Sequence, residues 1–243
     1  LMAAGCADAP VTIRLTGEGL DARGYVDLTL ASMRAFGGKV RQTGNTSWEV
    51  TPSGYHAADV LIEPDASAAT YLWAAGQLTG GRIDTGLAPE ACSQPDARAW
   101  NAISAFPQMP ALIDGSQMQD AVPTLAVMAA FNETPVRFTG IRNLRVKECD
   151  RISALSGGLN LLSPGLAAEE GDDLLIFSDP SLRGTSVDVR IPTFADHRIA
   201  MSFALAGLCM HGVTILDPGC VAKTWPGYWD VLRSLGVTLH FSA

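Results

Sequence analysis

The stretch "DHRIAMSFALAGLCMHGVTILDPG", residues 196–219, contains an apolar helical segment, a short β-type segment and a glycine turn in succession. Residues 199–208 are apolar or small at almost every position, which is typical of a helix that is buried on all sides. Asp196 stands where its carboxylate can cap the free N–H groups of the first helical turn. We therefore predict a buried helix that begins after Asp196 and leads directly into a strand.

The same arrangement occurs three more times, at a spacing that varies with loop length. The other copies are "LMAAGCADAPVTIRLTGEG" (1–19), "DASAATYLWAAGQLTGGRIDTGL" (65–87) and "DAVPTLAVMAAFNETPVRFTGI" (120–141). Asp65 and Asp120 take the place of Asp196, so all three are predicted N-caps, although Asp120 could equally face a ligand.

Each copy is followed by a second, amphipathic helix. These helices are predicted near residues 26–36, 96–105, 148–155 and 228–235. A further strand follows three of them, in "SWEVTPS" (47–53), "LLIFSD" (174–179) and "VTLHFS" (237–242). Helices and strands that alternate in this way predict sheets with helices packed on them, so the expected fold class is α/β.

The composition excludes several classes of function. The formal net charge of −8 over 243 residues provides no basic field for nucleic acid or an anionic membrane surface. The five cysteines show no CxxC pair and no histidine at metal-ligand spacing, which favours reduced thiols in a cytoplasmic protein without a metal site. No apolar run reaches the roughly 18 residues of a membrane span. A nucleotide cofactor is not expected, because glycine-rich phosphate loops are missing.

Positive side chains occur where positive helix ends are expected. His197 and Arg198 follow Asp196, and Arg145 and Lys147 precede the predicted helix that carries Glu148. Cations in the first turn of a helix are unfavourable by about 0.3–1 kcal/mol. Equivalent helices of equivalent units run parallel, so their N-termini can converge and attract an anion. We therefore predict an anion site with Arg145 and Lys147 on its wall.

The stretch "RVKECDR" (145–151) also has the spacing of ordinary helical salt bridges. Lys147 with Asp150, or Glu148 with Arg151, would account for these charges without a ligand. Asn143 could be an ordinary loop amide, Lys223 a solvated surface lysine and Tyr25 a core aromatic residue.

Five motifs together are specific enough to indicate a family. They are "IEPDASAATYLWAAG" (62–76), "QDAVPTLAVMAAF" (119–131), "NLRVKECDRI" (143–152), "ADHRIAMSFALAGL" (195–208) and "ILDPGCVAKTWPGYWDVLRSLG" (215–236). In this order they resemble the 5-enolpyruvylshikimate-3-phosphate (EPSP) synthase family. The resemblance implies the enolpyruvyl transferase fold, a two-lobed inside-out barrel of repeated βαβαββ units. It also implies that the chain is only the C-terminal part of such an enzyme. Residues 1–62 would then be the last unit of an incomplete first lobe, and residues 63–243 would be most of the second lobe.

The reaction implied by the resemblance is transfer of the enolpyruvyl group of phosphoenolpyruvate to the 5-hydroxyl of shikimate 3-phosphate, with release of phosphate. It proceeds by addition and elimination, belongs to aromatic amino acid biosynthesis in the cytoplasm, and requires no metal or cofactor. The implied partner is the N-terminal half of the same enzyme, which in the family binds much of both phosphates.

The resemblance also implies roles for individual residues. Asp120 would hold and deprotonate the shikimate hydroxyl, Glu148 would move the proton at the methylene carbon, and Lys223 would meet the donor phosphate. The implied substrate-binding residues are Arg151 and Arg198 at the donor carboxylate, Asn143, Lys147 and Tyr25 at shikimate, and His197 in support.

Two other functions remain open. The first is that of the related UDP-N-acetylglucosamine enolpyruvyl transferase. The motifs "RVKECDR" and "DHRIAM" favour the shikimate enzyme over this alternative. The second is a non-catalytic binding domain of the same fold. The intact set of charged residues argues against it.

Overall fold

A computed structural model describes residues 1–17 and 20–241 of the protein. Its strands are β1 (Val11–Arg14), β2 (Lys39–Gly44), β3 (Ser47–Thr51), β4 (Leu112–Asp114), β5 (Val136–Thr139), β6 (Ala167–Glu170), β7 (Asp173–Ile176), β8 (Ser186–Ile191) and β9 (His211–Ile215). Its α-helices are α1 (Arg23–Ala35), α2 (Ala66–Thr79), α3 (Trp100–Ile103), α4 (Val122–Ala129), α5 (Arg151–Leu162), α6 (His197–Cys209) and α7 (Tyr228–Ser234). Glu18 and Gly19 of the first predicted glycine turn lie outside the described residues.

The strands form three sheets, with the orders β1-β3-β2, β4-β5-β7-β6 and β8-β9. Strands β4 and β5 are parallel, as are β8 and β9, whereas β7 is antiparallel to both of its neighbours. The succession β4-α4-β5-α5-β6-β7 is one full βαβαββ unit. The predicted α/β class with repeated units is therefore confirmed, and the described residues form separate sheets rather than one closed barrel.

The first helices of three repeated units are buried, as their apolar sequences predict, whereas the helical segment predicted in residues 1–19 is only a 3₁₀ turn at Met2–Cys6 with Gly5 buried. All eight residues of α4 are buried, and α2, α4 and α6 pack against one another. Asp65 accepts a hydrogen bond from the Ala68 N–H at 3.1 Å. Asp196 accepts one from the Arg198 N–H at 2.8 Å. Both predicted N-caps are confirmed.

The predicted N-cap at Asp120 is wrong. Helix α4 begins after Ala121, which makes no side-chain cap, and the Asp120 carboxylate turns away to face basic side chains. The reason is electrostatic, because an ion pair with a guanidinium is a stronger hydrogen bond than one with a neutral N–H.

The second helices begin later than predicted in two units. Residues 95–99 form a 3₁₀ helix before the short α3, so the helix predicted at 96–105 is only partly α-helical. Helix α5 begins at Arg151, because Asp150 caps it by accepting a hydrogen bond from the Ser153 N–H at 3.1 Å. Glu148 therefore lies in the segment before α5 and not on the helix.

Two predicted β-type segments are not strands. Residues 82–85, after α2, are in loop conformation, and so are residues 237–241 of the last predicted strand. Ser242 of that strand lies outside the described residues. Within the described part of the chain, no helix is both long and apolar enough to cross a membrane.

Candidate active site

The Asp120 carboxylate is surrounded by three cations. Its Oδ1 lies 3.1 Å from Arg151 Nη1 and 3.6 Å from Lys147 Nζ, and its Oδ2 accepts a hydrogen bond from Arg198 Nη2 at 2.9 Å. Burial by itself would raise the pKa of Asp120, but Arg198, Lys147 and Arg151 together bring that pKa below its ordinary value. Asp120 is therefore an ionised acceptor at the loop that precedes α4.

Arg151 is only 1% exposed and contacts three carboxylates, of which Asp196 is buried and Asp120 and Glu148 are partly exposed. Its Nε donates to Asp196 Oδ2 at 2.7 Å, its Nη2 to Glu148 Oε2 at 2.5 Å, and its Nη1 to Asp120. Burial lowers the pKa of Arg151, but the ion pair with Asp196 more than offsets this, so the guanidinium stays charged. Asp196 thus has two roles, since it also caps α6.

Glu148 and Lys223 form the outer side of the cluster. The Lys223 ammonium, 55% exposed, donates a short hydrogen bond to Glu148 Oε1. Partial burial raises the pKa of Glu148, yet the bond from Lys223 and the nearby Arg151 lower that pKa to about 2. The carboxylate is therefore ionised at neutral pH. These two residues are 75 positions apart in the sequence and meet only through the fold.

One of the two predicted helical salt bridges is present. Glu148 pairs with Arg151, as the i,i+3 spacing predicts. Lys147 does not pair with Asp150, because Asp150 is occupied by Arg145 at 2.9 Å.

Arg145 is directed away from the cluster, which corrects its predicted place on the wall of an anion site. Besides Asp150, its guanidinium binds Asp172 and Glu169, each at 2.9 Å. Of the two cations predicted for that wall, only Lys147 reaches Asp120. The Arg145 network instead ties α5 to the β6–β7 hairpin.

Tyr25, at the start of α1, is held by a carboxylate that sequence reasoning missed. Its hydroxyl donates to Asp96 Oδ2 at 2.7 Å, and the Ser67 hydroxyl donates to the same oxygen at 2.5 Å. Asp96 is 1% exposed, and its Oδ1 has no hydrogen-bond partner. Burial raises the pKa of Asp96 in spite of these hydrogen bonds, and burial together with Asp96 raises the pKa of Tyr25. An acidic residue at a helix start is normally assigned as a cap, so the sequence contained no signal for this pairing.

The first turn of α1 also contacts the loop that leads to Asp120. The Ala22 N–H donates to the Ser116 carbonyl at 3.0 Å, and the Gly24 N–H donates to Gln117 Oε1 at 3.1 Å. These contacts bring Tyr25 near enough that the charge of Asp120 contributes to its raised pKa.

His197 and Asn143 are close to the cluster in sequence but take no part in its hydrogen bonds. His197 is 2% exposed, and its Nδ1 lies 3.8 Å from Asp196 Oδ1. Neither ring nitrogen has a hydrogen-bond partner. Burial, and then Arg198, lower the pKa of His197, so the ring is neutral at pH 7. The Asn143 side-chain oxygen is also buried without a partner.

Six of the nine predicted site residues therefore form one connected network of ion pairs, and Tyr25, Asn143 and His197 lie outside it. The six are Asp120, Lys147, Glu148, Arg151, Arg198 and Lys223. The cluster can bind anions by exchanging internal carboxylate contacts for ligand contacts, and it can move protons between carboxylate and ammonium groups.

Comparison with known proteins identifies the family. The family model described as EPSP synthase (3-phosphoshikimate 1-carboxyvinyltransferase) matches residues 1–104 and 97–232. The chain belongs to the EPSP synthase family.

Curated relatives in the family are close in sequence. The chain is 66% identical over 238 residues to the 3-phosphoshikimate 1-carboxyvinyltransferase of Rhizobium leguminosarum bv. trifolii. The aligned region covers 98% of the chain and 56% of that relative. The chain is 64% identical over 240 residues to the enzyme of the same name from Pseudomonas syringae pv. syringae, covering 99% and 57%. The chain thus spans little more than half the length of these relatives.

Solved structures share the fold. EPSP synthase from Acinetobacter baumannii superimposes with a TM-score of 0.73 at 22% identity, over 100% of this chain and 60% of that one. The enolpyruvyl transferase NikO from Streptomyces tendae gives a TM-score of 0.65 at 16% identity, over 97% and 57%. The predicted enolpyruvyl transferase-like architecture is thereby confirmed.

Proposed function

We propose that this chain is part of an enzyme that transfers the enolpyruvyl group of phosphoenolpyruvate to the 5-hydroxyl of shikimate 3-phosphate and releases phosphate. The names of the close relatives support this assignment. Within the chain, the observation that supports this assignment most directly is that three cations, Lys147, Arg151 and Arg198, surround the carboxylate of Asp120. Such a site has an acceptor for a hydroxyl proton and cations for anionic substrates within one contact shell.

The charge balance of the cluster suits anionic substrates. Four cations face three carboxylates, which leaves one positive charge in excess. The cations are Lys147, Arg151, Arg198 and Lys223, and the carboxylates are those of Asp120, Glu148 and Asp196. The carboxylate of phosphoenolpyruvate would take the place of Asp120 or Glu148 at the two guanidiniums. A planar guanidinium binds a carboxylate through two parallel hydrogen bonds, which makes Arg151 and Arg198 suitable for this role.

Asp120 would hold the shikimate 5-hydroxyl and accept its proton during the addition step. Its lowered pKa makes it a weak base while three cations surround it. Binding of the donor carboxylate would draw Arg198 and Arg151 away from Asp120. The pKa of Asp120 would then rise toward the value that a general base needs.

Glu148 would carry the proton that the donor methylene carbon gains on addition and loses on elimination. With Lys223 in contact its pKa is about 2, so it has no proton to give at neutral pH. The donor phosphate would attract Lys223 away from Glu148, raise that pKa, and allow Glu148 to be protonated. On elimination the carbon proton returns to Glu148, and Lys223 protonates the departing phosphate.

The remaining site residues would bind shikimate 3-phosphate or support those that do. Lys147 and Asn143 would contact the ring hydroxyls, and Tyr25 would approach from α1. His197, neutral and buried beside Asp196, would hold the first turn of α6 in place without adding charge.

The rest of the enzyme is an expected partner. We infer that residues 1–62 and 63–243 belong to two lobes, because residues 52–65 contain no helix or strand and join two separate sheets. The part of the relatives that this chain does not match would supply further phosphate contacts as the N-terminal half. We expect the assembled enzyme in the cytoplasm, since all five cysteines are free thiols.

Phosphate release tests the proposal. The chain is mixed with the unmatched portion of the Rhizobium leguminosarum relative, together with phosphoenolpyruvate and shikimate 3-phosphate. We expect turnover from the mixture, and a loss of at least a hundredfold in kcat for Glu148→Gln with shikimate 3-phosphate binding nearly unchanged. Glu169→Gln is the matched control, because Glu169 pairs with Arg145 outside the cluster.

Two outcomes would contradict the assignment. A mixture that binds shikimate 3-phosphate without releasing phosphate indicates a non-catalytic binding domain. Turnover with UDP-N-acetylglucosamine and not with shikimate 3-phosphate would identify the related transferase instead.

A further inference from the structure

Tyr71 of α2 and Tyr228 of α7 are two buried tyrosines whose rings are in contact. Their ring centroids lie 5.9 Å apart, and the rings meet edge to face at 70°. Tyr71 is 1% exposed and Tyr228 is 0% exposed. Because a buried tyrosine usually finds a hydrogen-bond partner for its hydroxyl, the two residues can be compared directly in this respect.

The hydroxyls of these two residues differ in their contacts. The Tyr228 hydroxyl donates to the Met201 carbonyl of α6 at 2.9 Å. The Tyr71 hydroxyl is buried and makes no hydrogen bond within the part of the chain that the structure describes. Such a group loses its hydrogen bonds to water on folding and gains none in return, which destabilises the fold. Packing of the Tyr71 ring therefore does not explain why the residue carries its oxygen.

The Tyr71 hydroxyl lies in the field of Arg198. Helices α2 and α6 pack against each other, and Arg198 belongs to the first turn of α6. Of the charged groups around the hydroxyl, Arg198 acts on it most strongly, and Arg151 and Asp120 follow. Burial raises the pKa of Tyr71, and the two guanidiniums only partly offset that rise, so the hydroxyl is neutral at pH 7. Its oxygen can therefore accept a hydrogen bond from a nearby cation.

In this structure Arg198 donates to Asp120 instead. Its Nη2 lies 2.9 Å from Asp120 Oδ2, and its Nη1 lies 3.4 Å from the Asp120 carbonyl oxygen. A guanidinium carries five N–H donors, so these two contacts leave others for a further acceptor. The Arg198 side chain is only 12% exposed, which gives water little access to those donors. The Tyr71 oxygen is an acceptor that the protein itself supplies.

We propose that Tyr71 is a positioning residue for phosphoenolpyruvate, because its hydroxyl oxygen accepts a hydrogen bond from Arg198 once that guanidinium leaves Asp120 for the donor carboxylate. This inference rests on the proposed function, in which Arg198 binds the carboxylate of phosphoenolpyruvate. Tyr71 itself touches no substrate atom. Its hydrogen bond is made only in the arrangement in which Arg198 has turned to the ligand, and an interaction made in one of two states shifts the equilibrium toward that state. The hydroxyl thereby strengthens substrate binding.

Tyr71→Phe tests the inference, because it removes one oxygen and keeps the ring. The chain is mixed with the unmatched portion of the Rhizobium leguminosarum relative, and phosphate release is measured while each substrate is varied. We expect the KM for phosphoenolpyruvate to rise about tenfold, since a hydrogen bond to a charged group is lost in the bound state. The KM for shikimate 3-phosphate should stay within about twofold, and kcat within about threefold, of wild type.

Urea unfolding of the chain gives a second readout. The Tyr71 hydroxyl has no partner to lose among the described residues, so the urea midpoint of Tyr71→Phe should equal or exceed that of wild type. Tyr228→Phe is the matched control. It loses the hydrogen bond to the Met201 carbonyl, so its midpoint should fall, whereas its KM for phosphoenolpyruvate should stay within about twofold of wild type. A purely structural role would change stability and not this KM.

The other outcomes overturn the inference. An unchanged KM for phosphoenolpyruvate in Tyr71→Phe means that the hydroxyl does not position Arg198. An equal rise in the KM values of both substrates means that the substitution disturbs the site as a whole. A urea midpoint that falls as far as that of Tyr228→Phe means that the hydroxyl already has a structural partner.

Failure of the proposed function would be recognised separately. The wild-type mixture could release no phosphate and still bind phosphoenolpyruvate in a calorimetric titration. In that case, about tenfold weaker binding by Tyr71→Phe supports the inference, and equal binding overturns it. A wild-type mixture that binds no phosphoenolpyruvate overturns both.

Discussion

Residues 1–62 and 63–241 bury their apolar side chains to very different extents. The main hydrophobic core lies wholly between Ala69 and Leu232. In the described part of the first 62 residues the fully buried large apolar side chains are Leu30, Met33, Trp48 and Val50. The charged cluster is built on the second region, so its side chains are held by a large core before any ligand binds.

The two regions meet through polar contacts rather than a shared core. Tyr25 bonds to Asp96, Gly24 to Gln117 and Ala22 to Ser116. Close to the connection between the regions, Leu61 is 98% exposed and Ile62 is 84% exposed. Tyr25 is therefore positioned by a few hydrogen bonds across the junction, whereas Asp120 and Arg151 are held by ion pairs between elements that pack on one large core.

The largest effect is expected where the second region buries charge. Arg151→Met leaves Asp196, which is fully buried, without its cation, and should lower the free energy of unfolding by about 3–5 kcal/mol. Urea unfolding followed by circular dichroism measures this loss. The control is Arg41→Met, which breaks an exposed pair with Glu49 in the first region and should cost less than about 1 kcal/mol. Equal losses of unfolding free energy in the two variants would mean that the buried ion pair of the second region contributes no more to stability than the exposed pair of the first.

The acid dependence of stability should also come from the second region. The pKa of Glu148 falls from 4.5 to about 2 on folding, so its ion pairs contribute fully above pH 4.5. This contribution disappears as the pH falls through about 2, because the folded state then has to take up the proton. We expect Glu148→Gln to remove roughly 2–3 kcal/mol of the stability difference between pH 5 and pH 2. A pH series of thermal melts, in which wild type and variant keep parallel curves, would refute this.

Packing within the second region can be tested with two adjacent glycines of α5. A Cβ on Gly158 would lie 2.8 Å from Cε2 of the buried Phe203 ring and closer still to its tip. Gly158→Ala should therefore cost about 1–3 kcal/mol through overpacking. Gly157 is exposed with no atom within 4 Å of the added carbon, so Gly157→Ala should stabilise the helix by up to about 1 kcal/mol. Calorimetry that ranks the two variants the other way would mean that the core around Phe203 is loose.

The smallest effect is expected at the junction between the regions. Tyr25→Phe removes one hydrogen bond to Asp96 and should cost about 1 kcal/mol. The loss should appear mainly as faster proteolysis within α1, while the main core unfolds as in wild type. Tyr55→Phe is the control, since Tyr55 donates to the Met2 carbonyl inside the first region. Equal proteolysis of the two variants would show that the Tyr25 bond does not position α1.

Local patterns predicted much of the fold and part of the site. Apolar helices were recognisable from composition alone, and the caps at Asp65 and Asp196 from their position before them, since both depend on neighbours within a few residues. The family motifs also collected six residues that the structure brings into contact. The pairing of Glu148 with Arg151 followed from helical spacing, although Glu148 itself lies before the helix.

The partner of each remaining charged group is set by the packing of distant elements and could not be predicted from local sequence. Asp120 faces cations instead of capping α4, Arg145 turns to the β6–β7 hairpin, and Asp96 accepts from Tyr25. Residues 237–241 have the alternation of a strand but not its pairing. The physical reason is the same in each case. Periodicity and capping are set by energies within one element, whereas ion pairs and strand pairing depend on distances between groups that are tens of residues apart in the chain.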